Sequence, residues 1–445
     1  MAATGAAPID VRATFAQARK HVLDSGLMLL FRLSSALVGI VIYAVCMRKY
    51  GPDALGKYAY VVALCQFFAP LLVSGIEPIL VRELVRRRDE KLELLGSAVM
   101  LLLMTTCIAA GAPMLYVLAT DSADRDIVYM AAGLTISMLP NCLLVLMAFL
   151  RAESKITLAT TCGIVGVLGS AVVRVAIVLW GKPLYFVTAA AILEPLISAV
   201  MLLVIYRRYY GPVSNWQFSW PSMRSLFRLG WSAVLAGLVV TLFFRITHVM
   251  LKSLSSFDQV GYYAVAFQMF TFLNFLPNSV LAVLYPRLLQ LYQASKARYL
   301  DAIRTVYVLV TLAGAILCVL VWLLIHPSIV LVFGAASAPA APVAIAMAVA
   351  NLFSFSGAVR GQVIYIEHHP VYHVYNSLLG LAVLVPLNLV LIPMAGALGA
   401  AISVAIACFV SAVASSWVFP ALRSTGADQA LAFIGMRRRM PAGTS

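Results

Sequence analysis

Long apolar runs alternate with short polar punctuation along the whole chain. A bilayer crossing needs about 20 apolar residues. By that measure the runs predict spans near 25–47, 58–80, 94–119, 127–150, 156–180 and 184–205. A second set follows near 229–251, 259–285, 305–325, 341–359, 372–392 and 396–419. The expected fold is an all-α polytopic membrane protein of about 12 transmembrane helices. Pro113, Pro140, Pro195, Pro277 and Pro386 fall inside spans, where neighbouring helices can re-satisfy the backbone. The run from Ser25 to Met47 is longer than the core of a signal peptide and lacks a small-residue cleavage site, so it reads as the first span.

Composition supports lipid as the solvent: 63% of residues are apolar and 11% charged, against about half and a quarter in soluble domains. The net charge of +15 sits mostly between spans. With the N-terminus inside, inner segments hold Lys and Arg over outer ones by about four to one, which predicts that both termini are cytoplasmic. Nucleic acid is excluded as a partner on the same ground, because the charge is loop charge facing an anionic leaflet. The expected organisation is a cytoplasmic N-terminal segment 1–24, an N-lobe 25–205, a cytoplasmic linker 206–228, a C-lobe 229–419 and a cytoplasmic basic tail 420–445. The inner loops 81–93, 206–228 and 286–304 are basic and amphipathic, and are expected to lie along the membrane surface. The outer loop Thr120 to Asp126 carries Asp121, Asp124 and Asp126.

A short echo links the halves. Gly56-Lys-Tyr-Ala-Tyr-Val opens the second span and Gly261-Tyr-Tyr-Ala-Val-Ala opens the eighth, 205 residues later. An even-numbered repeat keeps the same topology in each half, which predicts two six-helix lobes related by an axis along the membrane normal, around a central cavity.

Charge inside a span costs about 2.5–3.5 kcal/mol on insertion scales, so Arg32, Arg174 and Arg245 need a reason. Spacings of three and four residues put Arg32, Ser35, Gly39 and Tyr43 on one face of span one, and Gly163, Gly166, Ser170 and Arg174 on one face of span five. Gly237, Thr241, Arg245 and His248 share a face of span seven, and Thr271, Asn274 and Asn278 form a stripe on span eight. Arg174 either binds substrate or pairs with Glu194; Arg32 either binds or snorkels to the inner interface; Arg245 either binds or pairs with Asp258. The glycine stripes fit close helix packing as well as a ligand path. His248, His368, His369 and His373 are expected at interfaces, with proton coupling as the alternative. Three arginines against Glu77 near the inner end and Glu194 in mid-span leave a net positive interior, suited to phosphate or carboxylate.

No phosphate-binding glycine loop, GxSxG elbow or HExxH is present, which argues against an ATPase or a hydrolase of soluble type. Cys46, Cys65, Cys107, Cys142, Cys162, Cys318 and Cys408 all lie in apolar runs without a CxxC pair, so no metal site is expected.

Several segments resemble the Wzx-type polysaccharide flippases of the MOP superfamily, which includes the lipid II flippase and the MATE exporters. They are Arg48-Lys-Tyr-Gly-Pro-Asp-Ala-Leu-Gly-Lys-Tyr-Ala, Gly75-Ile-Glu-Pro-Ile-Leu-Val-Arg-Glu-Leu and Phe244-Arg-Ile-Thr-His-Val-Met-Leu with Val260-Gly-Tyr-Tyr-Ala. Tyr285-Pro286-Arg287 and Leu391-Ile-Pro-Met-Ala-Gly-Ala-Leu-Gly-Ala-Ala-Ile continue the resemblance in order. It implies a V-shaped bundle of the bacterial inner membrane that moves an undecaprenyl-diphosphate-linked oligosaccharide from inner to outer leaflet. Arg32, Arg245 and Arg174 would then hold the diphosphate, with Tyr43, Thr241, His248, Thr271, Asn274 and Asn278 lining the sugar path. Thr247 stands where many relatives carry an acidic residue, which puts an acidic coupling site there in doubt. Glu194 and Glu77 are the coupling candidates, the energy source being a proton, Na+ or the membrane potential, with no cofactor. Expected partners are the lipid-linked oligosaccharide, membrane lipid, and a polysaccharide polymerase with its chain-length machinery. The rivals are a MATE-like small-molecule exporter and a membrane polymerase or glycosyltransferase; the short outer loops disfavour the second.

Overall fold

The computed structural model describes residues 11–367, 369, 371–418 and 423–433. Ten helices among them are long and apolar enough to cross a membrane, and no strand occurs among the described residues. In chain order they are α1 (Val11–Phe67), α2 (Val73–Arg86), α3 (Lys91–Thr120), α4 (Arg125–Met138), α5 (Val145–Ala152), α6 (Ile156–Leu179), α7 (Leu184–Ala189) and α8 (Leu193–Tyr209). Then follow α9 (Trp220–Leu254), α10 (Phe257–Ala294), α11 (Lys296–Phe333), α12 (Ala340–Ile366), α13 (Val371–Phe409), α14 (Ser415–Val418) and α15 (Arg423–Phe433).

Ten becomes twelve because two of these helices are hairpins. The first turns at Gly51, with φ +80°, and the other at Gly396, with φ +54°. Positive φ is a conformation that glycine alone adopts without a Cβ clash. Within α13 the antiparallel legs meet where Gly399 lies against the Leu391 carbonyl and Gly380 against the Ser411 side chain. The second span is broken rather than continuous: a 3₁₀ turn at Ala69–Leu71, started by Pro70, separates the end of α1 from α2.

The inner loop expected at 286–304 is not a surface-lying segment. α10 runs on to Ala294, and α11 starts at Lys296 with the Ser295 hydroxyl accepting from the Arg298 amide. Two helices project past the membrane instead, because the basic residues there are spaced around good helix formers and only one cap interrupts them. The tail also has structure: α15 returns to pack against α11 and α14. The rest of the tail, and residues 1–10, lie outside the described residues.

Buried side chains form three clusters whose placement defines the shape. One joins the two lobes on the side away from the termini, running from Ile42 and Tyr60 to Tyr263, Ile329 and Val404. The other two lie toward the termini and are separate. One is built on α2, α3, α5 and the first half of α9, the other on α10, α11 and α12. The lobes therefore meet at the far side; toward the termini α9 alone stays against α2 and α3, with Gly230 on Ile76 and Ile79, while α10, α11 and α12 form their own cluster.

The far-side contact is reciprocal. A Cβ on Gly56 would stand 1.9 Å from the Phe257 carbonyl oxygen, and one on Gly261 would stand 2.2 Å from the Pro52 carbonyl oxygen. Residues 52 and 56 correspond to 257 and 261 in the repeat, so each lobe presents the same surface to the other. The echo extends to Tyr43 against Tyr58 and His248 against Tyr263, both edge-on ring pairs, at 5.6 and 4.8 Å between centroids.

Candidate functional site: a cavity in the C-lobe beside the lobe boundary

A cavity of about 640 Å³ opens among α9, α10, α12 and α13, touched from the N-lobe by Gln66 and Ala69 at the broken second span. Five of the sequence-predicted residues come together on its wall: Arg245, Thr241, Thr271, Asn274 and Asn278. Helical spacing does this locally, since each stripe puts its polar groups on one side of an otherwise apolar helix. Thr241, Thr271 and Asn278 donate to the carbonyls of Gly237, Phe267 and Asn274 at 2.8, 2.9 and 2.7 Å. Asn274 ties α10 to α12 by donating to Asn351 and accepting from Ser354 Oγ at 2.8 Å.

Arg245 is the chemical centre of this wall. Its guanidinium lies over the Phe267 ring, 4.8 Å from the centroid, and it makes no ion pair among the described residues, with Asp258 or otherwise. A ring face stabilises a cation by about 0.5–2 kcal/mol, well short of the several kcal/mol that burying an ion costs. The remaining compensation is left to whatever enters the cavity.

The other predicted residues are elsewhere. Arg174 donates to the Tyr58 hydroxyl at 2.5 Å rather than pairing with Glu194. Tyr58 belongs to α1, which packs on α6, and its hydroxyl takes the guanidinium, leaving Glu194 within electrostatic range of Arg174 but without an ion pair among the described residues. The glycines below it are packing surface: Gly166 sits against Ser198 and the Glu194 carbonyl, and Gly163 against Phe31 and Met147. Tyr43 and His248 are buried off the cavity in the lobe-joining cluster, at 9% and 1% exposure. Tyr43 nonetheless lies within electrostatic range of both Arg174 and Arg245. Glu77 is held by Arg151 in an ion pair between α2 and α5, and neither it nor Glu194 reaches the cavity wall.

Arg32 is exposed on α1 and off the cavity wall. Gly39, on the same face, packs against Gln268 of α10, whereas Arg32, about two turns nearer the termini, is exposed.

Three wall residues were not foreseen. Arg360 was counted with an inner loop because the tenth span was drawn to end at 359; it lies inside α12 and is 4% exposed. Gln66 is a single polar residue in an apolar run, whereas Asn376 follows His373 by three residues and adjoins Ser377, a polar face at the start of α13 that was passed over in the sequence. His373, expected at an interface, lines the cavity as well. His369 lies just ahead of α13, and His368 is outside the described residues.

The far-side end is closed by charge. Asp121, at the end of α3, is held by Lys252 of α9, by the Tyr60 hydroxyl at 2.8 Å and by Thr120 Oγ1 at 2.8 Å. Desolvation works to raise the Asp121 carboxyl, but the bonds from Lys252, Tyr60 and Thr120 outweigh it and hold it below the usual carboxylate range. Arg48 of α1 donates to the Val332 carbonyl at 2.9 Å and to that of Leu331 on α11.

A family described as polysaccharide biosynthesis protein matches residues 23–292, well over half of the chain. The chain belongs to that family. No curated protein sequence matches it. Among solved structures this family member is similar to the lipid II flippase MurJ in an inward closed conformation, with a TM-score of 0.68 at 13% identity over 91% of this chain and 92% of that one. It is also similar to a multidrug resistance MATE family transporter of the MOP superfamily. The TM-score is 0.66 to the inward-facing conformation, at 13% identity over 88% of this chain and 96% of that one. To an outward-facing conformation it is 0.57, at 14% identity over 91% and 96%. The polysaccharide biosynthesis protein thus has the helical fold of MOP-superfamily transporters and crosses the membrane many times.

Proposed function

We propose that this protein is a flippase that carries an undecaprenyl-diphosphate-linked oligosaccharide across the bacterial inner membrane for surface polysaccharide assembly. The observation that carries the reading is Arg245: a guanidinium without an ion pair among the described residues, on the wall of a 640 Å³ cavity that also presents amides, hydroxyls, aromatic rings and a second arginine. A guanidinium fork suits a diphosphate, and amides and hydroxyls suit sugar. The polysaccharide biosynthesis family supports the cargo class. With the basic loops on the cytoplasmic side, the end closed by the Gly56–Gly261 contact and the Asp121–Lys252 pair faces outward, so the present state is closed to the outside. The prenyl chain stays in lipid while the head group occupies the cavity. Net movement then requires that the far-side-open state bind the cargo differently from this one.

The second reading, a MATE-like exporter of small molecules, is favoured by the likeness to MATE transporters. Cationic drugs need acidic cavities, and this wall carries Arg245 and Arg360 with no acid. Deletion of the gene separates the two. The flippase reading expects surface glycan to vanish while lipid-linked repeat units accumulate on the inner leaflet, and Arg245→Ala at normal abundance to reproduce this while Arg208→Ala does not. Intact surface glycan with altered drug tolerance would establish the exporter.

A further inference from the structure

Arg360 is a second buried cation on the same cavity, and the diphosphate has no need of it. Only neutral groups hold it: Nη1 donates to Ser415 Oγ at 2.6 Å and Ser416 Oγ at 2.9 Å, and Nη2 donates to the Ser411 carbonyl. Those groups are themselves fixed. Ser416 donates to Gln429 of α15 at 2.8 Å, whose amide donates to Ser356 Oγ at 3.2 Å and the Ala412 carbonyl at 3.1 Å. Among the described residues the charge is therefore positioned but not neutralised, and Nε has no acceptor.

Asn376 of α13 shares this part of the wall. It is 2% exposed, and among the described residues neither its Nδ2 nor its Oδ1 has a partner. Gly380, one turn further along the same face, packs on Ser411, whose carbonyl takes Arg360. A fully orphaned buried amide is costly and native proteins rarely keep one. Together the two residues offer two unpartnered donor nitrogens, Arg360 Nε and Asn376 Nδ2, one formal positive charge and one acceptor. A carboxylate satisfies the donors and the charge, and a neighbouring hydroxyl satisfies Oδ1. That combination occurs on an acidic sugar.

We propose that Arg360 and Asn376 form a second anionic subsite, which takes a carboxylate on the cargo's sugar, so that the transported glycan is acidic. The proposal rests on the flippase reading for its cargo, but its site is separate from Arg245. A single fork beside one amide matches one carboxylate better than a doubly charged phosphate.

The test uses the full-length protein in nanodiscs of zwitterionic lipid, titrated calorimetrically with digalacturonate, lactose, inorganic phosphate and inorganic pyrophosphate. Digalacturonate is expected to bind at least tenfold more tightly than lactose or phosphate. Arg360→Gln and Asn376→Ala should each weaken it at least tenfold while leaving pyrophosphate unchanged, and Arg245→Gln should do the reverse. Asn376→Ala removes atoms that bond to nothing, so its ligand-free melting temperature should hold or rise; this keeps the test valid if Arg360→Gln fails to fold. Equal binding of lactose, equal binding of phosphate, or unchanged digalacturonate affinity in folded Asn376→Ala would overturn the subsite. So would its loss on adding phosphatidylglycerol, which would make it a lipid headgroup site. Absence of pyrophosphate binding counts against the flippase reading alone and leaves the carboxylate result readable.

Discussion

Arg174 and Arg245 are the same side chain in two settings, and the setting decides what each does. Arg174 is fixed by the Tyr58 hydroxyl within the N-lobe, whereas Arg245 rests on an aromatic face and borders open space. Arg174→Ala should therefore lower membrane abundance and thermal stability, with Tyr58→Phe producing a smaller loss of about 1.5–3 kcal/mol for one charge-assisted bond. Arg245→Ala should leave abundance intact and abolish transport; Arg245→Lys keeps the charge but loses the fork and should recover only part. Unfolding in detergent, measured beside surface glycan, distinguishes them, and a stable, inactive Arg174→Ala would reverse the assignment. The stripe of Arg245, Thr241, Thr271, Asn274 and Asn278 was legible in sequence because polar groups recur at helical spacing in apolar helices. Arg360 was not, since an arginine near the end of a run reads as loop charge. Arg174 misled because a hydroxyl on a distant helix outcompeted the nearest acid, and pairing between helices has no local signal.

At the scale of elements, the repeat was readable from two short glycine segments, and the contact between those segments explains why glycine stands there. Gly56 and Gly261 bring two backbones together closely enough that an added methyl would meet a carbonyl oxygen. Alanine at either position should cost about 1–3 kcal/mol as overpacking and push the lobes apart at the far side. Gly51 differs, for no atom crowds it; its φ of +80° is the constraint. Gly51→Ala should cost about 1–3 kcal/mol of stability while leaving the lobe contact intact. Crosslinking across the far side separates the cases: reduced in the Gly56 and Gly261 variants, unchanged in Gly51→Ala. The break at Ala69–Leu71 was not predicted, because hydropathy continues through it and only Pro70 hints at the turn. The long projections of α10 and α11 escaped notice for the opposite reason: hydropathy ends at the membrane, but helix propensity does not.

For the whole molecule, sequence fixes the number of crossings and their likeness in two halves but not which end of the lobes is shut. That depends on side chains from different lobes meeting, and here it is Asp121 with Lys252. The pair joins the end of α3 to the far end of α9, with Tyr60 supporting both members: its hydroxyl donates to the acid, and its ring lies 5.5 Å from the ammonium. Opening the far side must break it. Because the Asp121 carboxyl is held below the usual range, its contribution is complete above about pH 3.9, the ordinary aspartate value. It is lost only as pH falls through the lowered value. The closed far side should therefore be insensitive to pH between 5 and 8. Asp121→Asn and Lys252→Ala should each open it throughout that range. Spin labels on cysteines placed at the exposed positions 122 and 255, in a background free of native cysteine, read the lobe separation directly. The native pair should give one short distance that does not change from pH 8 to 5, and either variant should shift population toward a longer one. An unchanged distance distribution in both variants would mean that the glycine contact, the lobe-joining apolar cluster and the Arg48 bonds hold the lobes, with the ion pair a bystander.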